Sequence, residues 1–349
     1  MSKRSNKQTD NLEQNNIRSK PSLAIFILFV GLLALSVSIA ASVSMGVSDI
    51  SLKTVWKAVF EFNDELLEHR VIHELRLPRA LIGALVGAAL AVSGALMQGM
   101  TRNPIASPGI MGLNAGSAFV LAVAFAFFPG LPYSSLIMWS FFGAALGAGI
   151  TYGVSSFSKA GLTPIRLALA GTVVGALLSS ASTGIAIYFN VAQDLTFWYA
   201  GGIVGSTWIN VLVLVPWIAI GLVAALLLAK SITVLGLGED TAIALGQRIK
   251  LVKIGGILIV ILLAGAAVSA AGPVGFVGLI IPHITRFLVG VDYRWIIPCS
   301  AIIGALFLVL ADIGSRLVNA PYETPIGVIT AIVGVPFFFY LVRRDRRGM

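Results

Sequence analysis

Long apolar stretches without a charged residue alternate along this chain with short segments that carry its Lys, Arg, Asp and Glu. An unpaired ionised side chain is costly in hydrocarbon, and about 20 residues cross the bilayer core as a helix. Each charge-free stretch of that length is therefore a candidate span. Six stretches predict one span each: Lys20 to Asp49, Arg79 to Arg102, Arg166 to Asp194, Asp194 to Lys230, Arg294 to Asp312, and Glu323 to Arg343.

Two longer stretches predict two helices each. Arg102 to Lys159 encloses 56 uncharged residues, with a turn predicted at Pro129-Gly130-Leu131-Pro132. Lys253 to Arg286 encloses 32, and a proline with three glycines between Gly272 and Gly278 predicts a break there, either a tight hairpin or a re-entrant bend. The total is ten helices.

The spans divide the chain into a polar N-terminal tail (1–22), a ten-helix membrane domain (23–342) and a basic C-terminal tail (343–349). The first apolar run, Leu23 to Ala41, ends in small residues, as a cleaved signal peptide would. It exceeds the roughly 7 to 15 residues of a typical signal h-region, so we expect an uncleaved first helix.

Composition agrees with this pattern. The chain of 349 residues is 57% hydrophobic and only 11% charged, which is typical of an all-α polytopic membrane protein and excludes an ordinary soluble domain. A net charge of +9 could indicate nucleic-acid binding. Membrane proteins, however, collect Lys and Arg in cytoplasmic loops for topological reasons, so no nucleic-acid partner is predicted.

The charge bias predicts that both termini are cytoplasmic, because 18 of the 24 Lys and Arg then lie inside. Several of the remaining six crowd together in one outer segment, against the topological rule. These outer residues are Lys53, Lys57, Arg70, Arg76, Arg79 and Arg316.

The outer segment from Gly46 to Leu77 also carries Trp56 and Phe60. These rings could rest at the membrane interface on a short amphipathic helix, or the segment could be a simple connecting loop. Glycines four apart occur in several spans, and such pairs let helix backbones approach closely. The pairs are Gly83/Gly87, Gly112/Gly116, Gly143/Gly147 and Gly171/Gly175.

Missing features narrow the mechanism. A single cysteine, Cys299, excludes an intrachain disulfide, and three histidines provide few ligands for a histidine-bound metal centre. His283 stands alone at a helix end, where packing or capping explains it. The spans hold almost no ionisable residues, which disfavours an ion-coupled carrier or channel. No phosphate-binding loop or hydrolase motif is present. We therefore expect no cofactor and no enzyme activity, and favour a permease that uses another subunit's ATPase.

Several long motifs then carry a family resemblance. They are Arg76-Leu-Pro-Arg79, the Gly87–Gln98 segment, Arg102-Asn-Pro-Ile-Ala-Ser-Pro108, the Gly272–His283 segment, and the tail from Ala311 through Arg316 to Glu323-Thr-Pro-Ile-Gly-Val-Ile-Thr330. In this order they resemble the iron-siderophore, haem and cobalamin permease family of ABC importers, over nearly the whole chain.

The resemblance implies a ten-helix permease of a bacterial cytoplasmic membrane. Such a permease pairs with a second, identical or paralogous permease on two ATPase subunits, and an external substrate-binding protein delivers its substrate. A ferric siderophore is the expected substrate, with haem or cobalamin as the alternative within the family. A secondary carrier or channel is the rival from another class.

The resemblance also implies three sites. Arg76, Arg79 and Arg316 match arginines that dock glutamates of the binding protein, and a guanidinium suits bidentate carboxylate recognition. Arg76 and Arg79 could instead anchor a helix at the interface. The segment around Gly238, Glu239, Asp240, Thr241, Ala242, Ala244 and Gly246 matches the coupling helix that seats on the ATPase, with Ala242 and Ala244 giving it a slim surface. Leu162, Thr163, Pro164 and Ile165 match the cytoplasmic gate.

Overall fold

A computed structural model describes residues 19–46, 50–156, 164–319 and 322–345, and these residues are almost entirely helical. The helices to be discussed are, in chain order, α1 (Pro21–Ser44), α2 (Leu52–Phe60), α3 (Leu67–Thr101), α4 (Leu113–Phe127), α5 (Tyr133–Ser156), α6 (Pro164–Tyr188), α7 (Ala192–Gly201), α8 (Trp208–Gly236), α9 (Glu239–Ala244), α10 (Ile249–Ala271), α11 (Val277–Val289), α12 (Tyr293–Leu317) and α13 (Ile326–Asp345).

Seven of these helices are long and apolar enough to cross a membrane, which confirms a polytopic all-α protein. They are α1, α3, α5, α6, α8, α10 and α12. Three further apolar helices, α4, α11 and the Ile326–Leu341 part of α13, are shorter. The 13 residues of α11 extend about 20 Å, less than the roughly 30 Å of a bilayer core.

Helix α3 forms the centre of the molecule. It packs against α8, α10, α11 and α12. In its most apolar stretch 83% of the residues are buried, compared with 6% in that of α1. A Cβ at Gly94 would collide with the backbone of Gly278, and one at Gly87 with the backbone of Gly304. Close contact of α3 with α11 and α12 therefore requires glycine at these crossings.

Helices α4, α5 and α6 pack together beside this centre. Glycines 112 and 116 face glycines 143 and 147 backbone to backbone, so the packing predicted for both pairs is confirmed. Gly171 lies against the Ile110 carbonyl, whereas Gly175 has open space around it.

The break predicted after α10 is confirmed: α10 ends at Ala271, and α11 begins at Val277. The charge pattern does not predict α7, because Asp194 marks the edge of a charge-free stretch and yet lies within this helix. It also missed a π-helical stretch, Val71–Arg76, within α3. Pro78 lies two residues after this stretch and cannot donate a backbone hydrogen bond to the turn before it, which agrees with the widened turn.

The outer segment contains the short helix α2 rather than only a loop. Ser51 caps it by accepting a hydrogen bond from the Thr54 N–H at 3.2 Å. Val55 and Ala58 face inward against Val43 of α1 and Ile72 of α3.

Candidate functional site

Of the three arginines that the family resemblance implies for docking, Arg79 and Arg316 bond the buried carboxylate of Asp312, and Arg76 lies nearby at the end of α1. Arg79 donates from Nε and Nη2 to Asp312 Oδ1 at 3.0 and 2.8 Å, and from Nη1 to Glu323 Oε1 at 2.8 Å. Arg316 donates from Nη2 to Asp312 Oδ2 at 2.8 Å. We call these five residues, Arg76, Arg79, Asp312, Arg316 and Glu323, the outer cluster.

The outer cluster also caps the C-terminal end of α1. Arg76 Nη1 donates to the carbonyls of Val43 and Ser44, both at 2.9 Å, and Arg316 Nη1 to those of Ser42 and Met45, both at 3.0 Å. The last carbonyls of a helix lack partners within it and carry partial negative charge, so cations stabilise them.

The side chains of Arg79 and Arg316 are 13% and 11% exposed, and that of Asp312 is 2% exposed. Both arginines are therefore held in place by this chain. Three arginines against two carboxylates leave the outer cluster with a surplus of one positive charge. No role was predicted for Asp312 and Glu323, although both belong to the motif that contains Arg316. The spacing of Asp312 and Arg316, four apart on one helix, was the available signal.

At the opposite end of the molecule, α9 is a six-residue helix between two glycines with positive φ, Gly238 at +122° and Gly246 at +77°. Other residues would be strained there, so both glycines set the turns into and out of α9. Lys253 Nζ pairs with Glu239 Oε1 at 2.7 Å, and Gln247 Nε2 donates to the Ser231 carbonyl at 2.8 Å. These contacts attach α9 to α8 and α10.

One expectation for this segment needs correction. Ala242 is fully buried within the chain, so its small side chain serves packing inside the protein and does not form an outward surface. Ala244 is exposed, as expected. The outward surface is instead apolar and larger: Leu237, Ile243 and Leu245 are 64%, 61% and 65% exposed.

A group of hydrogen-bonded polar side chains lies near this end, where α3, α11 and α12 meet. Arg286 Nη2 donates to Gln98 Oε1 at 3.0 Å and to the Tyr293 hydroxyl at 3.2 Å. Gln98 Nε2 donates in turn to the Leu279 carbonyl at 3.1 Å. Next to it, the hydrogen bond from Arg294 holds the pKa of Asp292 below its usual range, so Asp292 stays charged as the cap of α12.

Of the predicted gate, Leu162 and Thr163 lie outside the described residues, and Pro164 and Ile165 form the first turn of α6. Further along α6 is a cavity of about 330 Å³. Ala168, Gly171, Thr172, Gly175 and Ser179 line it from α6, and Asn114 and Tyr199 line it from α4 and α7.

His283 packs edge-on against Phe337, with ring centroids 5.8 Å apart, which agrees with a packing role. No group of three or more potential metal-binding side chains occurs among the residues with assigned structure.

Residues 32–344 match the model of the FecCD transport family. The chain belongs to the FecCD transport family. This membership confirms the resemblance seen in the motifs, and it identifies the chain as a transport permease rather than an enzyme.

Relatives within the family match over nearly their whole length. The chain is 58% identical over 326 residues to the iron(3+)-hydroxamate import system permease protein FhuB of Bacillus subtilis, covering 93% of this chain and 85% of that one. It is 36% identical to the ferric enterobactin transport system permease protein FepD of Escherichia coli, covering 91% and 95%.

A solved structure has the same fold. An inward-facing conformation of a metal-chelate type ABC transporter superposes with a TM-score of 0.79 at 29% identity, covering 91% of this chain and 99% of that one.

Proposed function

We propose that the chain is the membrane-spanning permease subunit of a binding-protein-dependent ABC importer that takes up ferric siderophores across a bacterial cytoplasmic membrane. The observation that carries this proposal is the 58% identity, over 93% of the chain, to an iron(3+)-hydroxamate permease. The same relative favours a ferric hydroxamate over haem or cobalamin as the substrate.

Ten crossings with both termini cytoplasmic complete the proposal. The three shorter apolar helices supply the crossings beyond the seven long ones, α11 together with the non-helical residues 272–276 before it, and the distribution of Lys and Arg supports the orientation. Impermeant thiol labelling of cysteines placed at Asn63 and Lys250 tests it: Asn63 should react from outside intact cells, and Lys250 only after permeabilisation.

The outer cluster is the proposed docking surface for the binding protein. Its positive surplus suits an acidic partner, and it is reached from solvent at the ion pair of Arg79 with Glu323, whose side chain is 37% exposed. A partner carboxylate would approach Arg79 Nη1 in competition with Glu323, while Asp312 keeps the guanidinium in place.

Helix α9 is the proposed coupling element. Its exposed apolar residues Ile243 and Leu245, with Leu237 before it, suit insertion into a groove of an ATPase subunit, because such side chains gain by leaving water. The ion pair of Glu239 with Lys253 would pass motion of α9 on to α10.

The gate is proposed at Leu162, Thr163, Pro164 and Ile165, with the cavity-lining face of α6 as part of the pathway of the substrate. Open space at Gly175 and the hydroxyls of Thr172 and Ser179 support this role for α6. A cysteine at Thr163, in a Cys299→Ala background, should react with small thiol reagents in a nucleotide-dependent way. Reaction that is indifferent to nucleotide would place the gate elsewhere.

Stimulation of the assembled transporter's ATPase tests the substrate. Binding protein loaded with a ferric hydroxamate should raise the hydrolysis rate well above that with empty binding protein. Haem and cobalamin, added at the same concentration, should not. Stimulation by haem or cobalamin alone would contradict the siderophore assignment.

A further inference from the structure

Helix α2 has an apolar arc much wider than the part that the protein covers. At about 100° per residue, the arc begins with the inward-facing Ala58 and Val55 and continues through Val59, Leu52, Trp56 and Phe60. The first two are buried. The other four are exposed by 43%, 62%, 64% and 66%, respectively, although they are as apolar as the covered side.

The edge of this uncovered arc is aromatic and basic. The rings of Trp56 and Phe60 touch, with centroids 4.3 Å apart. Lys53 and Lys57, both exposed, come next around the helix. Large rings beside lysines are typical of helices that lie in the boundary between lipid headgroups and acyl chains.

The position of α2 places this arc at the level of that boundary. Helix α1 presents most of its surface outward, including Phe26, Phe29 and Leu33, as a lipid-facing helix does. Its 24 residues extend about 36 Å, slightly more than a bilayer core, so its end at Ser44 lies near the headgroups. Val43 at that end and Val55 of α2 belong to the same buried cluster, which fixes α2 beside the end of α1.

We propose that α2 is an interfacial anchor: Leu52, Trp56 and Phe60 insert into the lipid leaflet in which α1 ends, and Lys53 and Lys57 bind the phosphates of anionic headgroups. The occupant of the uncovered arc is thus the membrane. This inference requires only that α1 spans the bilayer, and it holds whatever the permease transports.

The anchor has a consequence for the outer cluster. Arg76 donates to the carbonyls of Val43 and Ser44, immediately before the segment that leads to α2. A helix held at a fixed depth in the interface would hold this end of α1, and with it the guanidinium of Arg76, at a fixed height above the lipid.

Collision measurements on spin labels test the anchor in the full-length chain. Cysteines replace Leu52, Lys53, Trp56, Lys57 or Phe60 one at a time in a Cys299→Ala background, in nanodiscs of phosphatidylcholine with or without phosphatidylglycerol. Labels at 52, 56 and 60 should collide several-fold more with oxygen than with a water-soluble nickel chelate, and labels at 53 and 57 should show the reverse. The labels on the apolar arc should lie deeper when phosphatidylglycerol is present, and a Lys53→Gln, Lys57→Gln background should abolish that difference.

A second measurement leaves the native ring in place. The emission of Trp56 is the part of the fluorescence that the Trp56→Phe variant lacks. It should be quenched strongly by lipids brominated near the carbonyl end of the acyl chain. The emission of Trp208, obtained in the same way from Trp208→Phe, is the matched control. It should be quenched less, because the Trp208 indole donates to the His73 carbonyl within the protein.

Equal access of the nickel chelate to positions 56 and 57, together with unquenched Trp56, would overturn the proposal. Protection of position 56 only after addition of the substrate-binding protein would also overturn it, and would assign the arc to that protein.

Discussion

At the scale of single residues, Asp312 determines the geometry of the outer end. Its two carboxylate oxygens accept hydrogen bonds from Arg79 and Arg316, and it is almost completely buried. Two guanidinium groups held this close would repel each other without the carboxylate between them. The arginines can therefore serve docking only while Asp312 holds them in place.

Replacing Asp312 by asparagine should lower the free energy of unfolding by about 3–5 kcal/mol, because a buried charge that loses its partner is strongly destabilising. Reversible denaturation in mixed micelles measures the change. Asp64→Asn is the matched control: Asp64 pairs with Arg70 at 3.5 Å with side chains 80% and 51% exposed, and should cost less than about 1 kcal/mol. An equally small loss for both variants would contradict the structural role of Asp312.

The docking proposal makes a separate prediction at Glu323. Its removal frees Arg79 Nη1 for a partner carboxylate, so Glu323→Gln should strengthen binding-protein association roughly two- to fivefold, as expected for a surface pair worth about 1 kcal/mol. Titration of immobilised permease with the binding protein gives the affinity. Glu65→Gln makes the same charge change at an exposed site outside the outer cluster. Docking at Arg79 is refuted by weaker association, or by equal gains in the two variants.

At the scale of elements, the local pattern of charged and apolar residues predicted most helices. It failed for features that depend on contacts between residues far apart in the chain. Charge spacing is a local property, so helices appear in each charge-free stretch. The partners of Arg79 could not be read in this way, because Asp312 is 233 residues away in the chain. The burial of Ala242 depends likewise on how α9 folds back on its neighbours, and a short helix of six residues carries too little periodicity to indicate its inner face.

The burial pattern of α9 separates two effects of mutation. Ile243→Asp should abolish co-purification of the ATPase and leave thermal stability unchanged, because the side chain is largely exposed. Ala242→Trp should abolish ATPase binding and also lower the free energy of unfolding by about 1–3 kcal/mol, since an indole ring must enter packed space. Leu67→Asp, at a leucine that is 73% exposed and is the first residue of α3, is the control and should change neither. Normal ATPase binding by Ile243→Asp would remove α9 from the coupling interface.

At the scale of the whole molecule, the two candidate interfaces lie at opposite ends of a glycine-packed helical centre. Helix α3 connects them: Arg79 in its first half belongs to the outer cluster, and Gln98 near its end bonds Arg286 and the backbone of α11. Most buried polar side chains within the described part of the spans are bonded to one another or to backbone, as the Ser117–Ser140 pair is at 2.6 Å, and the buried hydroxyls without a bond there, those of Thr151 and Ser300, are not ionisable. An energy source outside the chain therefore fits the molecule better than an ion gradient.

Uptake by reconstituted vesicles tests this central claim most directly. The chain, its second permease, its ATPase and its binding protein are placed in proteoliposomes. Entry of a radioactive ferric hydroxamate is followed with ATP, with a non-hydrolysable analogue, or with an imposed proton or sodium gradient alone. The account predicts accumulation only when ATP and loaded binding protein are both present. Accumulation driven by the ion gradient without ATP or binding protein would contradict it.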